Sequence, residues 1–355
     1  MKMNAVRLMS RTTRKLVVLG ASCAMLSALS GTEAHAQVAL SPQTVQVPAS
    51  MKSAPFDTPR TLNIPTNFNI AVYARVGGVR FLALTPDGNL LVSQPGSGKI
   101  SIVRPNPNGD PMVSDFVSGL NKPHDMVFHT VGATTWLYVS ESSQIDRFPF
   151  NNGDITAHDK QTIISGLPDD SSGELQGRYA HSLKNIALDG NDKLYVEVSS
   201  ATNADPADVT ANPPRATIYQ YNADGTNGRL FATGLRNAEG LAIVPNTLDN
   251  LWVCVNNRDN IAYPFHNDWD GDGTDDYGKV MQSYVDNHPP EEFTHVRDGG
   301  NYGWPYANQI PIRVLDSTTC RSTWTCRTTR TAVMARPAVS TASTKAFRRT
   351  RHRSA

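Results

Sequence analysis

The feature that most constrains this chain is a recurring apolar hairpin. Four stretches share a strand–turn–strand plan: FLALTPDGNLLVSQ at 81–94, DMVFHTVGATTWLYVSE at 125–141, NIALDGNDKLYVEVSS at 185–200 and GLAIVPNTLDNLWVCVNN at 240–257. Each carries Asp-Gly, Gly-Ala, Gly-Asn or Asp-Asn near its turn, residues that tolerate tight-turn backbone. A second element recurs between the hairpins: DFVSGL at 115–120, TIISGL at 162–167 and LFATGL at 230–235. Further short strands are expected at Lys99–Val103, Ile145–Phe150 and Thr217–Tyr221. Four strands in a unit of about 50 residues is what a propeller blade requires. No long helical period interrupts the repeat, so the expected fold is an all-β propeller.

Charge and composition divide the chain. The first 36 residues hold five Lys/Arg against Glu33 alone, and residues 308–355 hold ten against Asp316 alone. That leaves 18 Lys/Arg against 30 Asp/Glu in residues 37–307, a net −12 beneath an overall +1. An acidic body argues against nucleic acid or an anionic membrane as partner. Lys2, Arg7, Arg11, Arg14 and Lys15, the short apolar segment Leu16–Leu29 and Ala34-His35-Ala36 have the form of a Sec-type export signal cleaved before Gln37. The apolar run is too short for a stable membrane span. Gly20-Ala21-Ser22-Cys23 is a poor lipoprotein box. The expectation is a soluble, unlipidated, secreted or periplasmic protein. Residues 37–61, rich in Pro, Ser and Thr, are expected to form an extended linker. Cys254 is then the lone cysteine of the body and is expected to be a small buried hydrophobe.

Chemistry-bearing residues cluster beside the repeats. His181 precedes a strand in RYAHSLKNIALDGNDKLYVEVSSATN, Arg178 to Asn203. At a hairpin start such a histidine either bonds backbone or exchanges protons near neutral pH. Arg236 and Asn237 lie in a loop before the fourth hairpin, where a guanidinium forms either a surface ion pair or a carboxylate clamp. Asp268, Asp270 and Asp272, with Gly273 and then Asp276, space oxygen ligands as in a calcium loop. Lys279 stands where an EF-hand has glutamate, so the reading is a separate structural Ca²⁺ loop or a solvated acidic turn.

Four of these stretches together resemble one family. The His181 segment, FATGLRNAEGLAIVP at 231–245, LWVCVNNRDNI at 251–261 and EEFTHVRDGGNYGWPY at 291–306 are similar, in the same order, to soluble quinoprotein sugar dehydrogenases of the glucose/sorbosone dehydrogenase type. The resemblance spans roughly 65–306. It implies a six-bladed propeller holding pyrroloquinoline quinone (PQQ) and Ca²⁺ above the central channel. It implies oxidation of the anomeric carbon of an aldose, or of a sugar-derived aldehyde such as sorbosone, with electrons passed to a downstream acceptor other than NAD. By the same comparison His181 is the general base, and Arg236 and Asn237 contact the cofactor. Lys184 sits where related members are basic, and its role stays open. Asn257 and Arg258 would offer backbone carbonyls to Ca²⁺.

After Tyr306 the pattern stops. Ten Thr and ten Lys/Arg, with Cys320 and Cys326, fill residues 308–355, a composition expected to be disordered. The abrupt change has the form of an out-of-frame tail; a basic tail for acidic partners is the alternative. Residues 62–307, with four hairpin cores and the opening of a further blade, are therefore expected to form an incomplete propeller of about four to five blades. Such a chain would be prone to aggregation, and a non-catalytic propeller that only binds ligand is the alternative function.

Overall fold

The computed structural model describes residues 38–179, 181–286 and 289–307, all within one compact unit. The export signal with Cys23, and the tail from 308 with Cys320 and Cys326, lie outside the described residues. The lead-in is extended but not unpaired. Its strand β1 (Leu40–Thr44) pairs antiparallel with β2 (Thr61–Pro65).

The repeat becomes four successive sheets. The first blade is β3 (Phe81–Leu84), β4 (Leu90–Gln94), β5 (Lys99–Arg104) and β6 (Met112–Ser118). The second is β7 (Met126–Val131), β8 (Thr134–Ser140), β9 (Gln144–Pro149) and β10 (Gln161–Ser165). The third is β11 (Ile186–Leu188), β12 (Lys193–Val198), β13 (Thr217–Asn222) and β14 (Arg229–Thr233). The fourth has three strands among the described residues, β15 (Leu241–Ile243), β16 (Leu251–Val255) and β17 (Glu292–His295). Each hairpin supplies the first two strands of a blade, and each Gly-Leu element ends the fourth.

Strand alternation binds the blades together. In β8, Leu137 and Val139 enter the core shared with the first blade, beside Leu91, Ile100 and Ile102. Tyr138, between them, enters the core shared with the third blade, beside Ile186, Leu194 and Val196. In β12 the pattern repeats: Tyr195 faces the fourth blade with Leu251 and Val253. Each of these large side chains gains about 1.5–3 kcal/mol on burial. Polar ties reinforce the second contact. The Asp125 carboxylate accepts from the Ile186 amide at 2.9 Å, and Tyr138 donates to the Ala223 carbonyl at 2.8 Å.

One expectation needs correction. Cys254 is exposed, not buried. Val253 and Val255 take the inward face of β16, which leaves Trp252 and Cys254 on the far side beside Phe293. That far face carries Phe293 at 59% exposure, and the opposite end of the arc carries Leu82 and Leu84 at 55% and 69%. The Gly-Asn-Tyr-Gly-Trp-Pro stretch at 300–305 adds to the third blade. Its short strand β18 (Gly300–Asn301) adds parallel to β14 at the edge of the third blade.

Gly234 explains that docking. Its φ is +76°, and an added Cβ would lie 2.5 Å from the Gly303 nitrogen and 2.6 Å from Asn301 Oδ1. The equivalent Gly119 and Gly166 share the left-handed backbone but face open space. Gly119→Ala and Gly166→Ala should therefore cost only the conformational strain, about 1–2 kcal/mol. Gly234→Ala should cost measurably more in urea unfolding, because strain and collision add; equal costs at the three sites would contradict this packing.

Candidate active site at the blade rim

Of the residues singled out by sequence, Lys184, Arg236 and Asn237 lie just before the first strands of blades, among further polar residues. Arg80 precedes β3, His124 precedes β7, Lys184 and Asn185 precede β11, and Arg236 to Glu239 precede β15. Arg80 reaches Glu239 at 3.8 Å, so the first and fourth blades meet at this end. Both partners are substantially exposed, and the pair adds little stability. Its value is geometric, because it brings the segment before β3 against the loop before β15.

His181 is half-buried. Its Nδ1 donates to the Ser200 carbonyl at 2.8 Å and lies 3.2 Å from Ser200 Oγ. A carbonyl only accepts, so the proton belongs on Nδ1 and Nε2 carries the lone pair. Burial, with the nearby Arg236, lowers the His181 pKa, while the Ser200 bond opposes. The ring is thus neutral at neutral pH and able to take a proton.

Arg236 is buried and makes four hydrogen bonds to oxygen atoms of two loops, which leaves one of its five N–H donors, on Nη2. Nε and Nη2 reach the Asn203 carbonyl and Oδ1 at 3.1 and 2.7 Å. Nη1 reaches the Asn256 and Asn257 carbonyls at 3.0 and 2.9 Å. It is not a surface ion pair. The Arg236 carbonyl in turn accepts from the Ser200 amide at 2.8 Å, so His181, Arg236 and Asn257 lie within one chain of hydrogen bonds. Asn237, also buried, accepts from Ser199 Oγ at 2.7 Å and donates from Nδ2 to Glu239 at 3.3 Å.

Other expected residues sit differently. Lys184 is wholly buried, its ammonium donating to the Ser182 carbonyl at 2.7 Å and lying 4.8 Å above the Tyr179 ring. Burial pulls its pKa down to about 8 against the pull of Glu197, Asp169 and Asp170. The side chain is thus held between the Ser182 carbonyl and the Tyr179 ring. The Asn257 carbonyl is already engaged by Arg236, and Arg258 is only partly buried. Two buried side-chain oxygens here have no hydrogen-bond partner, Asn257 Oδ1 and Oε2 of Glu292, the residue that pairs with Val255 of β16. In the acidic loop Asp268, Asp270 and Asp276 bring carboxylate oxygens within 4.8 Å of one another, while Asp272 turns away to cap Thr274. Lys279 bonds Asp276 at 2.8 Å and holds its pKa below the usual carboxylate range.

Sequence reasoning missed His124, Glu239 and Glu197. His124 is 3% exposed with no partner for Nδ1, and burial pulls its pKa down to about 4, with Glu239 opposing and Arg80 assisting. Its position just before a hairpin, like that of His181, was the available signal. A histidine with a depressed pKa withholds a proton that the unfolded chain would bind between pH 6.5 and 4. Its stabilising share is therefore complete above pH 6.5 and is lost as pH falls through 4. Urea midpoints at pH 7 and 4.5 should fall further for the native protein than for His124→Gln; equal falls would contradict this environment.

Comparison with known proteins agrees with the fold. No curated protein sequence matches the chain. Among solved structures, the holo form of the pyranose dehydrogenase PQQ domain from Coprinopsis cinerea is 20% identical, with a TM-score of 0.51 over 72% of this chain and 62% of that one. A Trichoderma reesei enzyme of carbohydrate-active family AA12 is also 20% identical, with a TM-score of 0.48 over 64% and 55%. The PQQ-bound aldose sugar dehydrogenase from Streptomyces coelicolor is 17% identical, with a TM-score of 0.45 over 66% and 64%. The chain thus spans 55–64% of the length of these three neighbours. A family model described as TrAA12-like matches residues 63–334, most of the chain and including residues past the last described strand. By that match, a propeller with its polar residues gathered at one rim belongs to the TrAA12-like family.

Proposed function

We propose that this protein is a quinoprotein dehydrogenase that oxidises the anomeric carbon of an aldose or of a sugar-derived aldehyde. The observation that carries the reading is the hydrogen-bonded chain from His181 through Ser200 and Arg236 to Asn257, which assembles a neutral base and a buried cation at one rim. Family membership and the fold shared with a PQQ-binding domain support it.

The residues fit an anionic, metal-assisted cofactor. The buried Arg236 guanidinium suits a carboxylate or a quinone oxygen, and Asn237 Nδ2 offers a neutral donor beside it. The unpartnered Asn257 Oδ1 suits a hard cation such as Ca²⁺. In this chain the metal contact is therefore assigned to the Asn257 side chain in place of its carbonyl, which Arg236 occupies, with the Arg258 carbonyl kept as a further ligand. PQQ, when bound, supplies the two-electron acceptor for the substrate's C1 hydride. His181 accepts the substrate hydroxyl proton at Nε2, and the Ser200 carbonyl stabilises the resulting imidazolium through Nδ1–H. Arg236 anchors negative charge and fixes the Asn203 and Asn256–Asn257 loops around it.

We further propose that residues 1–36 direct export to the periplasm, and that the acidic loop is a structural turn in which Lys279 supplies the cation. No helix among the described residues is long and apolar enough to cross a membrane. The partners are a small sugar or aldehyde and a downstream electron acceptor, not nucleic acid.

Dye reduction with PQQ, Ca²⁺ and an aldose panel tests the activity. His181→Ala should keep PQQ affinity and lower kcat roughly 10²–10⁴-fold, the usual worth of a general base. Arg236→Ala should weaken PQQ retention instead. Native kcat in His181→Ala would refute the base assignment, and PQQ binding without turnover in the native protein would favour the binding-only alternative.

A further inference from the structure

Beneath the rim lies a carboxyl group that the proposed reaction does not use. Glu197, near the end of β12, is 0% exposed and lies within a wholly buried strand end. One of its carboxyl oxygens bonds Ser199 Oγ, and the Ala238 amide also points at the group. Its other oxygen, Oε2, has no partner. Ser199 Oγ simultaneously contacts Asn237 Oδ1 at 2.7 Å.

The hydroxyl has one proton, yet it stands between two acceptors if Glu197 is ionised. Rotating the Asn237 amide would offer Ser199 a donor but set the amide oxygen against Glu239, 3.3 Å from the other end of the group. The conflict only moves. A protonated Glu197 removes it: the acid donates to Ser199, Ser199 donates to Asn237 Oδ1, and Asn237 Nδ2 is left to face Glu239 and the rim. We propose that Glu197 is a positioning residue, held as the neutral acid, that fixes the orientation of the Asn237 amide through Ser199. The inference deepens the cofactor reading, in which Asn237 is a donor.

The surroundings favour the neutral form. Burial pushes the Glu197 pKa up to about 8, against the Ser199 bond, Lys184 and the Ala238 amide, and Glu239 adds to the rise. Lys184 donates to the Ser182 carbonyl rather than to Glu197, and Tyr179, another titratable neighbour, donates to the Ser199 carbonyl at 2.6 Å. Burial raises the Tyr179 pKa well above its ordinary value, so it keeps its proton throughout the range concerned.

The test is a pH titration of the Asn237 side-chain amide by NMR in the full chain without cofactor, assigned with Asn237→Asp. The native resonance should move with a midpoint near pH 8. In Glu197→Gln, which keeps a donor for Ser199, it should stay fixed. An immobile native resonance, or an identical titration in Glu197→Gln, would overturn the proposal. In a second arm, fluorescence titration with PQQ and Ca²⁺ should find Glu197→Gln close to native affinity at pH 7 and Glu197→Ala weaker by about tenfold, the worth of one oriented hydrogen bond. Equal affinity of native protein and Glu197→Ala would also overturn it. If the native protein binds no PQQ, the cofactor reading fails, and the amide titration still decides the role of Glu197.

Discussion

Everything in this structure depends on strands that are apolar on both faces. A residue such as Tyr138 and its neighbours Leu137 and Val139 cannot share one core, so β8 must stand between two other sheets. The same demand at β12 forces the third blade between the second and fourth. Losing one face removes several side chains worth about 1.5–3 kcal/mol each, against a net stability of about 5–15 kcal/mol. Blade order is therefore fixed by burial, and the first strands are brought to a common rim as a consequence.

Burial also sets the electrostatics of that rim. Arg236 is bonded to neutral carbonyl and amide oxygens, so its charge is hydrogen-bonded without being cancelled by a contacting carboxylate. Charge-assisted bonds of this kind hold the guanidinium while leaving a positive field for an anionic ligand. His124 and His181 are both kept neutral, and Glu197 is pushed toward its neutral acid. One buried cation beside a neutral base is an arrangement suited to taking a proton while charge develops next to it.

Much of the fold was legible because its signals are local. Turn residues and period-two alternation located each hairpin, and Gly-Leu marked the fourth strands at Gly119, Gly166 and Gly234. The positions of His181, Arg236 and Asn237 at strand starts were equally readable. What could not be read depends on tertiary neighbours. The exposure of Cys254 follows from which face of β16 meets the third blade. The parallel docking of Gly300–Asn301 follows from the crowding around Gly234. The burial of Lys184 and the proton conflict at Ser199 involve residues that come together only when β12 packs beneath the Arg236 loop.

The central claim is that the rim holding His181 and Arg236 is a PQQ site, and a crystal structure of the protein soaked with PQQ and CaCl₂ tests it most directly. The account predicts cofactor density at this rim, with an oxygen of PQQ on the Arg236 guanidinium, a cation on Asn257 Oδ1 and His181 Nε2 facing the reactive carbonyl. Density elsewhere on the propeller, or an unchanged rim at saturating PQQ, would contradict it.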